Sequence, residues 1–125
     1  MTGGVVFRAG ERLAFLPATI AVKVMPAPAI AKVPGGPPEL RGVAFVDGDM
    51  IPIVAASERE GDAMLVCTVM GEAVGLVGVE VVATGRFAAT EGGDVRHGAE
   101  TARTFDIANL IAKVQRVRWG ATLSE

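Results

Sequence analysis

Apolar positions along this chain come in short runs that alternate with polar ones, a period-two pattern that argues for strands. Val5 and Phe7 fall on one face with Arg8 opposite, and after the Ala9-Gly10-Glu11 turn Leu13 and Phe15 repeat that face with Arg12 outward. Ile20, Val22 and Val24 alternate with Ala21, Lys23 and Met25. A proline-glycine corner, Pro34 to Pro38, leads into the run Val43 to Val46, an Asp47-Gly48-Asp49 turn, and the run Met50 to Val54. Asp-Gly between two apolar segments predicts a hairpin, because such a turn needs positive φ where only Gly or Asx is cheap. Residues 64–70 and 73–82 predict two more strands separated by Gly71-Glu72, and Val81 to Phe87 closes the run with a bend at Gly85. Eight or nine short strands at this spacing point to a barrel or sandwich. Ser57 to Asp62 reads as a short charged loop, and the Gly-rich stretch Ala88 to Glu100 as the most mobile one.

Helical periodicity occurs once. Ile107, Leu110, Ile111 and Val114 form one apolar stripe, Asp106 is placed to cap it, and Arg118 and Trp119 precede a stop at Gly120. The stripe reads as packing on the barrel, with a partner-facing helix anchored by Trp119 as the alternative.

At 125 residues the chain is expected to form a single domain, 1–125, and a hydrophobic content of 50% makes a compact core attainable. A net charge of −2 argues against nucleic acid, which needs a basic surface. The cluster Lys113, Arg116 and Arg118 is ordinary cationic decoration of a helix end. The single cysteine, Cys67, excludes an internal disulfide and fits a buried thiol in a reducing compartment. Neither a signal peptide nor an apolar run of membrane-spanning length is present, so a cytoplasmic protein without direct membrane insertion is expected.

Catalytic chemistry finds little support in the residues. His97 is the only histidine and reads as a solvated loop side chain with no second ligand beside it. Ser57 and Ser124 are the only serines, and neither stands in a Gly-x-Ser-x-Gly elbow. Asp47 and Asp49 lack the rest of an oxygen cage, and Gly75 and Gly78 lie in a strand-like run rather than a phosphate loop. No cofactor or metal is implied. The residues by themselves leave a valine-rich β-domain with polar turns, the make-up of a binding module.

Five segments in order resemble the CheW family of chemotaxis coupling adaptors over roughly residues 3–114. They are Val5-Val6-Phe7 with Leu13 to Pro17, the corner Ile30 to Gly42, Ile51-Pro52-Ile53-Val54, Val74-Gly75-Leu76-Val77 with Val81, and Phe105-Asp106-Ile107 with Leu110. The resemblance implies an all-β fold of two intertwined small five-stranded SH3-like barrels with a C-terminal helix. It implies a non-enzymatic adaptor that binds the cytoplasmic tip of a methyl-accepting chemoreceptor, the regulatory domain of a CheA-type histidine kinase, or both, and that is recruited to receptor clusters. Receptor contacts are expected near Val33, Gly42, Val43, Asp47 and Val77.

Departures from the family pattern are specific. Where the family usually has an arginine after the glycine matched by Gly42, this chain has Asp47; where it usually has an acidic residue upstream, this chain has Lys23. A reciprocal exchange implies that the two side chains face each other as an ion pair of inverted polarity, which bears on partner choice more than on stability. Ala55-Ala56 replaces the usual Asp-Leu, and the 57–62 and 88–100 loops are shorter than is usual. These changes point to an altered or lost kinase interface. Alanine, valine, glycine and arginine usage suits a GC-rich bacterium and admits a gliding-motility pathway such as Frizzy. Two other readings compete: a small β-barrel holding a hydrophobic ligand between adaptable methionine walls, and a minimal hydrolase built from Asp47, Asp49 and His97.

Overall fold

A computed structural model describes residues 1–114; the expectations for Arg116, Arg118, Trp119 and Gly120 lie outside the described residues. Nine strands appear in it: β1 (Thr2–Ala9), β2 (Arg12–Pro17), β3 (Ala21–Pro26), β4 (Leu40–Val46), β5 (Asp49–Ala55), β6 (Ala63–Val69), β7 (Glu72–Phe87), β8 (Val95–His97) and β9 (Glu100–Thr104). A helix, α1 (107–114), follows. The strands pair in the order β3-β6-β7-β1-β2-β9-β8, with β5 parallel to β7 and β4 antiparallel to β5.

One strand organises this arrangement. The first half of β7 pairs with β5 and β6, and its second half runs antiparallel to β1 from Val79 opposite Ala9 to Phe87 opposite Thr2. Counting β7 in both groups gives two five-stranded units: β1, β2, β9, β8 and the end of β7 form the first barrel, and β3 to β6 with the start of β7 form the second. The expected double barrel is therefore the fold. Short bridges draw its seams together, Ala89 to Val95 in the first barrel and Ala31 to Val43 in the second.

Three apolar cores explain why the runs are continuous. Val5 and Phe7 of β1 point into a core shared by both barrels, while Val6 between them points into the first barrel with Phe15, Phe87 and Val95. Likewise Leu65 and Cys67 of β6 join the shared core, whereas Met64 and Val66 join Ile51, Ile53 and Val77 inside the second barrel. A strand buried on both faces has no polar side to show, so its sequence reads as an unbroken apolar run. Helix α1 covers the shared core with Ile107 and Val114, and Phe105 meets Phe7 edge-on at 5.7 Å. The Asp106 Oδ1 accepts the Asn109 N–H at 3.0 Å, which is the expected cap.

Several expectations need correction. The runs 73–82 and 81–87 are one 16-residue strand, which bends at Gly78 (φ 73°) and there exchanges β5 and β6 for β1 as its partners. The stretch 88–100 is not an open loop: it holds a 3-10 turn at Glu91–Gly93 and β8, whose Val95 is fully buried opposite Ala102. His97 accordingly sits half-buried on a strand, its ring edge-to-face with Phe87 at 6.2 Å.

Candidate docking face

The hairpin between β4 and β5 forms as the sequence predicts. Asp47 (φ 51°) and Gly48 (φ 85°) both occupy the left-handed region, the signature of the tight turn whose twist matches its strands. Counting outward from that turn, Val46, Ala44, Ile51 and Ile53 point into the barrel, which leaves Phe45 and Met50 as an outward cross-strand pair. They are 68% and 59% exposed. Pro52 is tolerated because Val43, opposite it, gives both its N–H and its carbonyl to Ala31 at 2.9 Å, so the β4–β5 ladder asks no N–H of the proline.

Strand β3 meets this hairpin at its turn. Its register shifts between Ala21 and Lys23, so that Ala21 and Met25 pack on the cores while Val22 and Val24 turn outward, 55% and 41% exposed. Ile20, Val22 and Val24 therefore do not form an inward stripe; the bulge gives the inward positions to the smaller alanine and to methionine. Lys23, in register with Val66, projects from the face opposite Val24 and makes a charged contact. The Lys23 Nζ lies 3.1 Å from Asp47 Oδ2 and 3.3 Å from Oδ1. The charge exchange thus brings together two side chains that do meet, tying β3 to the β4–β5 turn.

Behind this wall the corner approaches β4 closely. Gly42 (φ 144°) has no space for a Cβ, which would overlap the carbonyl oxygen of Ala31. Beside it a groove of about 270 Å³ is lined by Ile30, Ala31, Val43, Phe45 and Met50, and is almost wholly apolar. Val33 stands exposed in the corner. Of the six residues expected to bind partners, Lys23 and Asp47 meet each other, Gly42 and Val43 lie against Ala31 of the corner, and Val33 stands exposed in that corner.

Val77 is the outlier. Only 8% exposed, it belongs to the second barrel's core and reaches a different groove of about 210 Å³ with Ile30, Arg41, Arg59 and Gly78. The 57–62 loop beside it is tied down: Ser57 Oγ donates to the Gly78 carbonyl at 2.7 Å and accepts the Arg59 N–H at 3.3 Å. Phe45 and Met50, which line the apolar groove, are the residues that sequence reasoning missed, and parity from the Asp47-Gly48 turn was the signal for them.

The proposed hydrolase residues do not assemble. Asp47 and Asp49 belong to the second barrel's hairpin and His97 to β8 of the first barrel. Among the described residues no group of three His, Cys, Asp or Glu side chains is placed to hold a metal ion. No helix among them is long and apolar enough to cross a membrane. Ile53 and Met64 inside the second barrel, Val6 and Val95 inside the first, and Leu65 and Leu76 in the shared core have no exposure, and the cavities described are surface grooves. Burial pushes the Cys67 thiol up to about 12, which leaves it protonated and inert.

A double barrel that presents an outward apolar pair beside an apolar groove has the build of a docking module. The CheW-like domain model matches residues 3–88, and the chain belongs to that family, whose members are non-enzymatic chemotaxis scaffolds. Among solved structures, the scaffolding protein TtCheW from Thermoanaerobacter tengcongensis is similar, with a TM-score of 0.73 over 88% of each chain and 18% identity, a likeness of fold. No curated protein matches the chain.

Proposed function

We propose that this chain, as a single CheW-like domain over 1–125, is a cytoplasmic adaptor that docks the cytoplasmic tip of a methyl-accepting chemoreceptor. In this reading the interface for the regulatory domain of a CheA-type histidine kinase is altered. The protein performs no chemistry and needs no cofactor. One observation carries the reading: Phe45 and Met50 stand outward beside an apolar groove, on the hairpin whose turn holds the Lys23–Asp47 pair. Isolated exposed apolar residues mean little, but an exposed pair that lines an apolar groove with charge at the adjoining turn suits a partner surface. Inverting the pair leaves the barrel's own contact intact while presenting opposite charges to whatever docks there, which rejects a partner built for the usual polarity.

Calorimetric titration against a receptor tip fragment and the kinase regulatory domain from the same organism tests this. Saturable binding to the receptor fragment, weakened about tenfold by Phe45→Ser or Met50→Ser, is expected, since one anchor side chain at an interface is worth more than about 1 kcal/mol. Weak or absent kinase binding that Lys23→Glu with Asp47→Arg restores would support the altered interface. Binding to neither fragment would sink the adaptor reading.

A further inference from the structure

A second surface, on the far side of the β2–β9 pairing, has a charge pattern that the docking face lacks. A groove of about 430 Å³ runs between β2, β9, the end of β5 and α1. Arg12, Arg103 and Lys113 line it, and among the described residues none of the three takes part in an ion pair. Asp106 is the one carboxylate there, and its Oδ1 is already engaged by the Asn109 N–H. Arg103 lies in register with Ala14 on parallel strands, one step diagonally from Arg12, so the two guanidiniums project from the same side of the sheet. Phe105 and Leu110, both half-buried, give the groove an apolar floor.

Like charges placed this close repel, and folding gains nothing from the arrangement. Three cations against one committed carboxylate, on a chain whose net charge is −2, make a local positive site on an acidic protein. We infer that this groove is a second docking site, taken by an acidic segment of a protein partner whose carboxylates meet Arg12, Arg103 and Lys113 while an apolar side chain rests on Phe105 and Leu110. Two features favour a polypeptide over a polyanion. The apolar floor contributes nothing to a phosphate backbone, and the acidic balance of the whole chain repels one. Guanidinium forks match carboxylates bidentately, so the arginines supply orientation as well as charge. The site shares no lining residue with the face around Phe45, so both can be occupied at once.

The test uses the full chain and a short fluorescein-labelled peptide in which glutamates flank leucines. Fluorescence anisotropy should show saturable binding that declines as salt is raised, and amide shifts on binding should centre on Arg12, Arg103 and Lys113. Arg12→Gln and Arg103→Gln should each weaken it about tenfold, the effect of one charge-assisted hydrogen bond, with an unchanged melting temperature because both side chains are exposed. Replacing the peptide's glutamates by lysine should abolish binding, and replacing its leucines by serine should weaken it. Failure of the glutamate-leucine peptide to bind, or binding indifferent to both arginine changes, overturns the proposal. So does tighter binding of oligothymidylate or of phosphatidylglycerol vesicles than of the peptide. Phe45→Ser should leave the peptide's affinity as it is; a matching loss would mean that the two faces are one, against the inference.

Discussion

Gly42→Ala adds one methyl group at a place where both backbone and space refuse it. At φ 144° a side-chain-bearing residue carries strain of about 1–3 kcal/mol. The new Cβ also meets a backbone carbonyl, that of Ala31, which cannot swing aside as a flexible side chain would. Relief requires the corner to part from β4, which breaks the two 2.9 Å hydrogen bonds between Ala31 and Val43, worth about 0.5–1.5 kcal/mol each. Together these give about 2–6 kcal/mol, a large share of the roughly 5–15 kcal/mol that holds a domain folded. At about 4 °C per kcal/mol for a chain of this size, the melting temperature should fall by about 8 °C or more. Gly35→Ala is the internal control: φ is 75° there too, but nothing lies within 4 Å, so only the backbone term applies. Urea and thermal unfolding followed by circular dichroism give the two values, and hydrogen exchange locates the loss. The Val43 amide should lose protection while Val95 and Ala102, across the molecule in the first barrel, keep theirs. A Gly42→Ala protein no less stable than Gly35→Ala would refute the claim that the Ala31–Val43 bridge closes the second barrel.

The ion pair and the buried thiol give two further tests. A double-mutant cycle of Lys23→Gln and Asp47→Asn should return a coupling of about 0.2–1 kcal/mol, since both side chains are largely exposed, and about 1 M salt should remove it; a coupling that survives such salt would mean that the contact is not chiefly electrostatic. Cys67 should resist thiol reagents until the protein unfolds. Its folded thiol keeps its proton to about pH 12 while the unfolded one releases it near 9, so the stability it lends is complete below pH 9. That contribution is lost as pH rises through 9 to 12, at about 1.4 kcal/mol per unit, and Cys67→Ala should flatten that part of a urea-midpoint profile against pH.

What the sequence reveals and hides follows from how many faces of each strand are buried. The Asp47-Gly48 turn is legible because positive φ leaves a local chemical mark, and the cap at Asp106 is legible for the same reason. The Lys23–Asp47 contact is legible only as a reciprocal exchange against the family pattern, since nothing local links residues on different strands. Strand parity is harder. In β1 and β6 both parities are buried, one in the shared core and one inside a barrel, so the apolar run carries no direction. In β3 the bulge resets parity between Ala21 and Lys23, and Val22 and Val24 go outward. Strand β8 leaves almost no pattern, because three residues with one buried valine are too few to show a period. Strand β7 hides its change of partners, since the apolar run passes through Gly78, where pairing switches from β5 and β6 to β1, without a break.

Fold and partner need not favour the same polarity for the inverted pair. Asp47 sits at φ 51°, a conformation that aspartate tolerates better than arginine, because its short side chain can bond the local backbone. Lysine on β3 keeps its ammonium in reach of the turn, 3.1 Å from Asp47 Oδ2. The present polarity therefore suits the barrel locally, whatever docks on it. Lys23→Glu with Asp47→Arg separates the two influences. The pair itself is worth about 0–1 kcal/mol in either polarity, so the reversed protein should lose about 1 kcal/mol through the turn alone. If reversal costs that much and also changes which partner binds, stability and recognition both act on these positions. If it changes the partner at no cost in stability, the turn is indifferent and recognition alone accounts for the inversion.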